Sequence, residues 1–222
     1  MADISLFTQS QRHGFFWDDE IRQRVFGLSN ACKNDTKKYD IDCSENVFNP
    51  NENVSIKVTG SNQIDCGDIL RFYHGDFEHQ YTIILLRYNQ HSNTEKHIRE
   101  IVEIDYSKQF RDVLFGTVPP ETIEEYVRFV KSIPKGRVDK SVVAEYLDRK
   151  KDIQRRYGMK INISPKVDSK SQRRVQCSIP QIDDLFAEFP QFVVSRNKIP
   201  MVRGVSITGT VLSGKRTFKK IN

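Results

Sequence analysis

The feature that most limits the fold is a nearly unbroken apolar run at residues 80–88, QYTIILLRY. A strand with apolar side chains on both faces belongs inside a sheet, with neighbours at its edges and cover above and below. The run falls far short of the roughly 20 apolar residues that cross a bilayer, and no stretch of the chain reaches that length. Candidate neighbours are close in sequence. Residues 54–59, VSIKVT, alternate, with Val54, Ile56 and Val58 on one face and Ser55, Lys57 and Thr59 on the other. Residues 39–42, YDID, alternate apolar with acidic side chains and read as a short strand, and residues 97–106, HIREIVEIDY, read as another. Ahead of them, residues 14–28 place Trp17, Ile21, Val25 and Leu28 along one side of a helix. Residues 60–68, GSNQIDCGD, read as a turn that opens a short helix. The first half is therefore expected to run helix, then four strands.

From residue 107 the pattern turns helical. Residues 118–133 form a punctuated helix, with Pro at the start, Glu in the first turn, and Ile123, Tyr126, Val127 and Val130 on one side. Residues 139–158 start at an Asp cap and end near Gly158, with Val143, Tyr146, Leu147, Ile153 and Tyr157 on a broad apolar face. They fit one helix, or two that break near Asp148. Residues 169–178, SKSQRRVQCS, read as an exposed loop, residues 181–189 as a helix, and the last 22 residues as a hairpin turning at Ser213-Gly214.

Charge is segregated along this frame. Residues 131–176 hold fourteen Lys or Arg against five Asp or Glu, and residues 196–222 hold seven basic residues and no acid. Residues 32–70 reverse the balance, with seven acids against four bases. Basic stretches of this density suit a polyanion, because ammonium and guanidinium groups that neutralise phosphates release counterions. They lack the long apolar helical face that an anionic membrane would require. The bland alternative is a solvated basic surface.

Placing the strands at 39–42 and 54–59 side by side brings Asp40 and Asp42 next to the face that carries Ser55 and Lys57. Asp65 and Asp68 follow in the next turn, Glu20 lies on the preceding helix, and Glu52 ends the connecting loop. Phosphodiester hydrolysis needs these residue types: hard carboxylate oxygens for Mg2+, and a lysine to offset charge on the phosphate. Asp40 in KYDI followed by Ser55-Ile56-Lys57 resembles the PD-(D/E)XK nuclease superfamily, and within it the type II restriction endonucleases, over about residues 12–106. The departure is Ser55, which stands where the family usually has a second acid.

The resemblance implies an α/β, restriction-endonuclease-like core, a central mixed sheet flanked by helices, with a helical, basic DNA-recognition region. Residues 1–115 would form the nuclease core, 116–180 the recognition region, and 181–222 a helix and hairpin completing either. Asp40 would bind Mg2+, with Asp68, Asp65 or, more weakly, Glu52 completing the metal shell. Lys57 would position the water, Ser55 would assist, and Glu20 would hold a second ion or orient Lys57. The substrate implied is double-stranded DNA cut at a short site by a homodimer, in the cytoplasm of a bacterium or a virus-infected host. No organic cofactor and no membrane partner is expected. The alternatives are a non-catalytic DNA-binding protein with a winged helix-turn-helix, a non-specific or repair nuclease of the same superfamily, and a mere cross-strand pair of Asp40 with Lys57. Glu20 alternatively pairs with Arg24 one helical turn on.

Residues 126–158 are similar to the helix-turn-helix of alkyltransferase-like DNA-binding proteins, through the turn Ile133-Pro134-Lys135-Gly136-Arg137-Val138. That family's reactive Pro-Cys-His-Arg motif is absent, so only DNA binding carries over. It would direct Lys150, Lys151, Gln154, Arg155 and Arg156 at the groove, and Ser171, Gln172, Arg173 and Arg174 add further donors. The alternative for each group is a solvated surface. Cys32, Cys43, Cys66 and His74 lack paired-cysteine spacing for zinc, the cysteines read as buried or idle thiols, and His91 and His97 read as surface residues. The N-terminal MADISLFTQSQRHG lacks a basic start before an apolar block, so a soluble protein of a reducing compartment is expected.

Overall fold

The computed structural model describes residues 12–29, 38–168 and 172–213. In chain order, α1 (Arg12–Glu20) runs into a π-helical turn (Ile21–Val25) and is followed by β1 (Glu52–Thr59), β2 (Gln63–Asp68), α2 (Ile69–His74), β3 (Gln80–Gln90) and β4 (Glu95–Asp105). Three helices come next, α3 (Lys108–Phe115), α4 (Pro120–Ser132) and α5 (Lys140–Arg156), then β5 (Asn162–Val167), β6 (Arg173–Pro180) and α6 (Ile182–Glu188). Four short strands close the described chain: β7 (Val193–Asn197), β8 (Met201–Val202), β9 (Val205–Ser206) and β10 (Thr210–Leu212). The protein is α/β and divides into two units. One comprises residues 1–61, 79–105 and 190–222, the other residues 62–78 and 106–189.

The first unit is built on β3. β1 lies parallel to it with Lys57 opposite Leu85, and β4 lies antiparallel on its other edge with Val102 opposite Leu85. β7 and β10 both pair with β4, at residues 101–104 and 95–97 respectively. The sheet is therefore mixed, with β3 interior, as its two-faced apolar run requires. Ile84 and Leu86 join a core with Trp17, Ile21, Val25, Phe26, Val54, Ile56 and Ile101. Ile83 and Leu85, on the opposite face, are equally buried. Each such side chain contributes about 1.5–3 kcal/mol on burial.

The helical face expected from residue 14 onward holds for Trp17, Ile21 and Val25. Its second half is π-helical, and the wider turn, closed by Phe26 N–H to the Ile21 carbonyl at 3.2 Å, brings Phe26 into the core as well. The strand expected at 39–42 shrinks to a single antiparallel bridge, Ile41 with Val54.

The second unit has a three-stranded antiparallel sheet in the order β2-β6-β5. Its core contains Phe72, Tyr106, Phe110 and Phe115, with Phe72 and Tyr106 stacked at 4.2 Å. Gly116 ends α3 with φ +62, where a side chain would strike the Tyr157 carbonyl that accepts the Thr117 N–H at 3.1 Å.

Several local expectations are corrected. Residues 63–68 form a strand instead of a turn, and most of 169–178 belongs to β6, whose Val175, Cys177 and Ile179 alternate inward. Of the two alternatives for residues 139–158, the single helix is the one formed, over residues 140–156, and Tyr146 alone of its expected apolar face is buried. The C-terminal hairpin turns at Arg203-Gly204, both with positive φ, as a tight two-residue hairpin requires. Gly214 lies outside the described residues.

Candidate active site

Asp40 sits one residue before the Ile41–Val54 bridge, which is closed by Ile41 N–H to Val54 O at 3.0 Å and Val54 N–H to Ile41 O at 2.8 Å. That bridge hangs the 38–42 segment on the free edge of β1. Asp40 Oδ2 then accepts the N–H of Ile56 at 2.7 Å. The carboxylate is thereby fixed to the Ser55–Ile56 peptide, one residue before Lys57. Among the described residues, no carboxylate pairs directly with Lys57, and Asp40 spends its contact on the backbone. The simple cross-strand pair is thus not formed.

A third member comes from α1. Asp18 feels the charges of both Asp40 and Lys57, as well as those of Asp19 and Arg22. Burial, followed by repulsion from Asp40, pushes its carboxyl up to about 7, while Arg22 and Lys57 act in the opposite direction. Its Oδ1 is buried and accepts no hydrogen bond. An orphaned buried acceptor beside a second carboxylate is costly unless a proton or a cation satisfies it.

Ser55 is buried, and its hydroxyl accepts from Tyr81 OH at 3.1 Å. Tyr81 packs edge-on to Tyr39, with ring centroids 4.9 Å apart. Asp42, expected beside Asp40, instead caps the turn at Cys43–Glu45 by accepting the Ser44 N–H at 3.1 Å and Ser44 hydroxyl at 2.7 Å.

The other candidate acids are engaged elsewhere. Glu20 is buried and accepts the Thr208 N–H at 3.0 Å, the Thr208 hydroxyl at 2.8 Å and Arg24 at 2.7 Å. It ties α1 to the C-terminal segment. Glu52 is held by Arg203, Thr82 and Asn46. Burial alone would raise its carboxyl, but those hydrogen bonds hold it below the usual range. Asp65 and Asp68 belong to the second unit: Asp65 accepts the Gly67 N–H at 3.1 Å, and Asp68 caps α2 through the Arg71 N–H at 3.0 Å. The resemblance pointed to Glu20 as the acid of the preceding helix, and Asp18, two residues earlier, was not singled out. Only the tertiary fold shows which flank meets β1.

The basic residues divide in the same way. On α5, Lys151 pairs with Asp148 at 3.2 Å and Arg155 with Asp152 at 3.0 Å, while Gln154 donates to the Ile161 carbonyl at 3.0 Å. Lys150 is half-buried, and burial, with a smaller effect of Lys151, lowers its ammonium. Arg156 is exposed. Arg173 donates to the carbonyls of Ile133 at 3.0 Å, Asp168 at 3.0 Å and Gly136 at 3.2 Å, so it pins the 133–136 turn. Gln172 is exposed and its N–H goes to Asp168 at 3.0 Å, and Ser171 lies outside the described residues. Arg174 is exposed directly opposite Lys166 on the β5–β6 ribbon. In the C-terminal stretch, Arg196 pairs with Glu100 at 2.5 Å, and Arg203 with Glu52 at 2.6 Å and Glu103 at 3.0 Å. No helix among the described residues is long and apolar enough to cross a membrane. Comparison with protein-family models, curated proteins and solved structures finds no match to this chain.

Proposed function

We propose that this chain is a Mg2+-dependent endonuclease that hydrolyses phosphodiester bonds of double-stranded DNA. The observation that carries the reading is the convergence of Asp18, Asp40 and Lys57, two carboxylates and an ammonium from a helix, a strand-edge segment and a strand. The residues fit a hard divalent cation: Asp18 has an unsatisfied buried oxygen, and burial together with the negative charge of Asp40 keeps its proton in place until about pH 7. Asp18 and Asp40 would hold Mg2+, with Asp18 filling the role first sought at Asp65 or Asp68. When bound, such an ion polarises the scissile phosphate and lowers the pKa of its water.

The protein's own groups do the rest. The Ile56 N–H fixes the rotation of the Asp40 carboxylate. Lys57 offers an ammonium free of a direct carboxylate partner, which offsets charge on the phosphate oxygens and orients the attacking water. Ser55, bound by Tyr81, buttresses this strand and does not reach for a ligand. Arg156, Arg174 and Lys166 supply phosphate contacts. Cleavage of both strands at one site calls for two copies related by a twofold axis.

The test is a digest of long, unmodified viral DNA in Mg2+ and in EDTA, with wild type beside Lys57→Ala and Asp18→Asn. Discrete bands that require Mg2+, Lys57 and Asp18 support a site-specific endonuclease, and a smear with the same requirements supports a non-specific one. Intact DNA on several substrates overturns the enzyme reading and leaves a DNA-binding protein without a catalytic site.

A further inference from the structure

The β3–β4 hairpin brings together residues that the sequence alone assigned to the surface. Gln90 pairs with Lys96 and Asn89 with His97. His91 therefore falls opposite Glu95, whose backbone carbonyl accepts the His91 backbone N–H at 2.9 Å, and Glu95 and His97, two residues apart, share that face. The imidazoles of His91 and His97 stack with centroids 4.4 Å apart and planes at 19°, and His97 Nε2 lies 3.8 Å from Glu95 Oε2. One ligating atom from each of the three lies within 4.8 Å of the others, so small rotations of these surface side chains bring them to the spread that one zinc ion spans.

The back of the hairpin is locked. Gln90 Nε2 donates to the carbonyls of Ser92 at 2.7 Å and Glu95 at 3.0 Å, and the buried Lys96 donates to Ser213 Oγ at 3.0 Å. The strands that carry the three ligands are thus held before any ion arrives, and little ordering is left to be done on binding.

From this we infer that His91, Glu95 and His97 form a zinc site on the hairpin, built from residues other than the Asp18–Asp40 cluster. Two imidazoles and a carboxylate suit Zn2+, or Co2+ and Ni2+ as its analogues, at nitrogen and oxygen distances of about 2.0–2.2 Å. Mg2+ prefers an all-oxygen octahedron and is a poor competitor here. All three side chains are at least partly open to solvent, so a fourth position is left for water or for a donor from another molecule.

The test is calorimetric titration of Zn2+ into the chelator-stripped full chain, repeated with His91→Ala, His97→Ala, His97→Gln and Asp18→Asn. The expected result is a tight zinc event in wild type that each histidine change weakens at least tenfold and that persists in Asp18→Asn, where weaker uptake at the Asp18–Asp40 carboxylates is lost. Because the two histidines are at the surface, their metal-free variants should melt with wild type, and Zn2+ should raise the melting temperature of wild type and of Asp18→Asn but not of the histidine variants. Co2+ loading should give ligand-field bands without a thiolate charge-transfer band, since the ligands carry no sulfur. Zinc affinity equal in wild type and His97→Ala, a thiolate band, or no zinc uptake by wild type would each overturn the proposal.

Discussion

Replacing Asp18 with Asn tests the electrostatics of the acidic cluster without any assumption about substrate. In the folded protein this carboxyl is pushed from 3.8 up to about 7, by burial first and by Asp40 second. The native state then holds a proton that the unfolded state has released, so the contribution is full below about pH 4 and is lost as pH rises towards about 7. Each pH unit across that window removes about 1.4 kcal/mol. Between about pH 5 and about pH 8 the carboxylate costs wild type roughly 2–3 kcal/mol, because the loss stops once the native group has ionised. An amide does not titrate, so its own packing effect is the same at both pH values and cancels when they are compared. For a domain of this size, roughly 2–4 °C per kcal/mol applies. The melting temperature of Asp18→Asn minus that of wild type should therefore grow by about 5–10 °C from about pH 5 to about pH 8, measured in EDTA by thermal denaturation. A difference that stays constant with pH would show that Asp18 titrates as an ordinary surface carboxylate, and the convergence with Asp40 would be refuted.

Four further outcomes follow from the same structure. Mg2+ and the proton compete for Asp18, so apparent Mg2+ affinity in a cleavage titration should fall as pH drops below about 7 and level off above it. Arg203→Ala leaves buried Glu52 and Glu103 without their cation, and denaturant unfolding should show a loss of about 3–5 kcal/mol. Glu20→Gln disturbs the contacts to Thr208 and Arg24 and should cost about 1–3 kcal/mol of stability, yet retain cleavage where Asp18→Asn abolishes it. Arg174→Ala with Lys166→Ala should reduce the slope of log binding constant against log salt by about 1 per lost phosphate contact, whereas an unchanged slope would place the DNA elsewhere.

What was legible in the sequence follows from how strongly burial marks each element. β3 and β1 were readable because one is buried on both faces and the other alternates over six residues. α4 was readable from its four inward residues and its opening proline. β2 was not, since only Ile64 and Cys66 mark its inward face, and a bulge at Asp65–Gly67 interrupts the pairing. β5 holds a proline and a lysine, acceptable because it is an edge strand but hard to tell from a loop. β6 carried a clear alternation hidden behind its leading arginines. Within the candidate site, Lys57 was visible through the alternation of β1 and Asp40 through the YDID segment that forms only a bridge to it, while Asp18 was one of three adjacent acids that only packing distinguishes. Charge counting overstated the free basic surface, because Arg173, Arg196 and Arg203 are consumed by carbonyls and buried carboxylates.

The interleaving of the two units bears on how the molecule is made. The chain leaves the first unit after Ser61, returns from His79 to Asp105, leaves again, and comes back only at Pro190. β4 cannot receive β7 and β10 until those last residues have been synthesised, whereas every strand of the second unit exists once Pro180 is made. During translation, then, the second unit can be complete while the sheet beneath Asp40 and Lys57 still lacks two of its five strands. Thr208, the anchor for Glu20 on α1, also arrives only at that stage. A polypeptide that stalls before residue 190 would carry every residue of the proposed cluster without the framework that assembles it, so the cluster takes shape only on chains translated past Leu212.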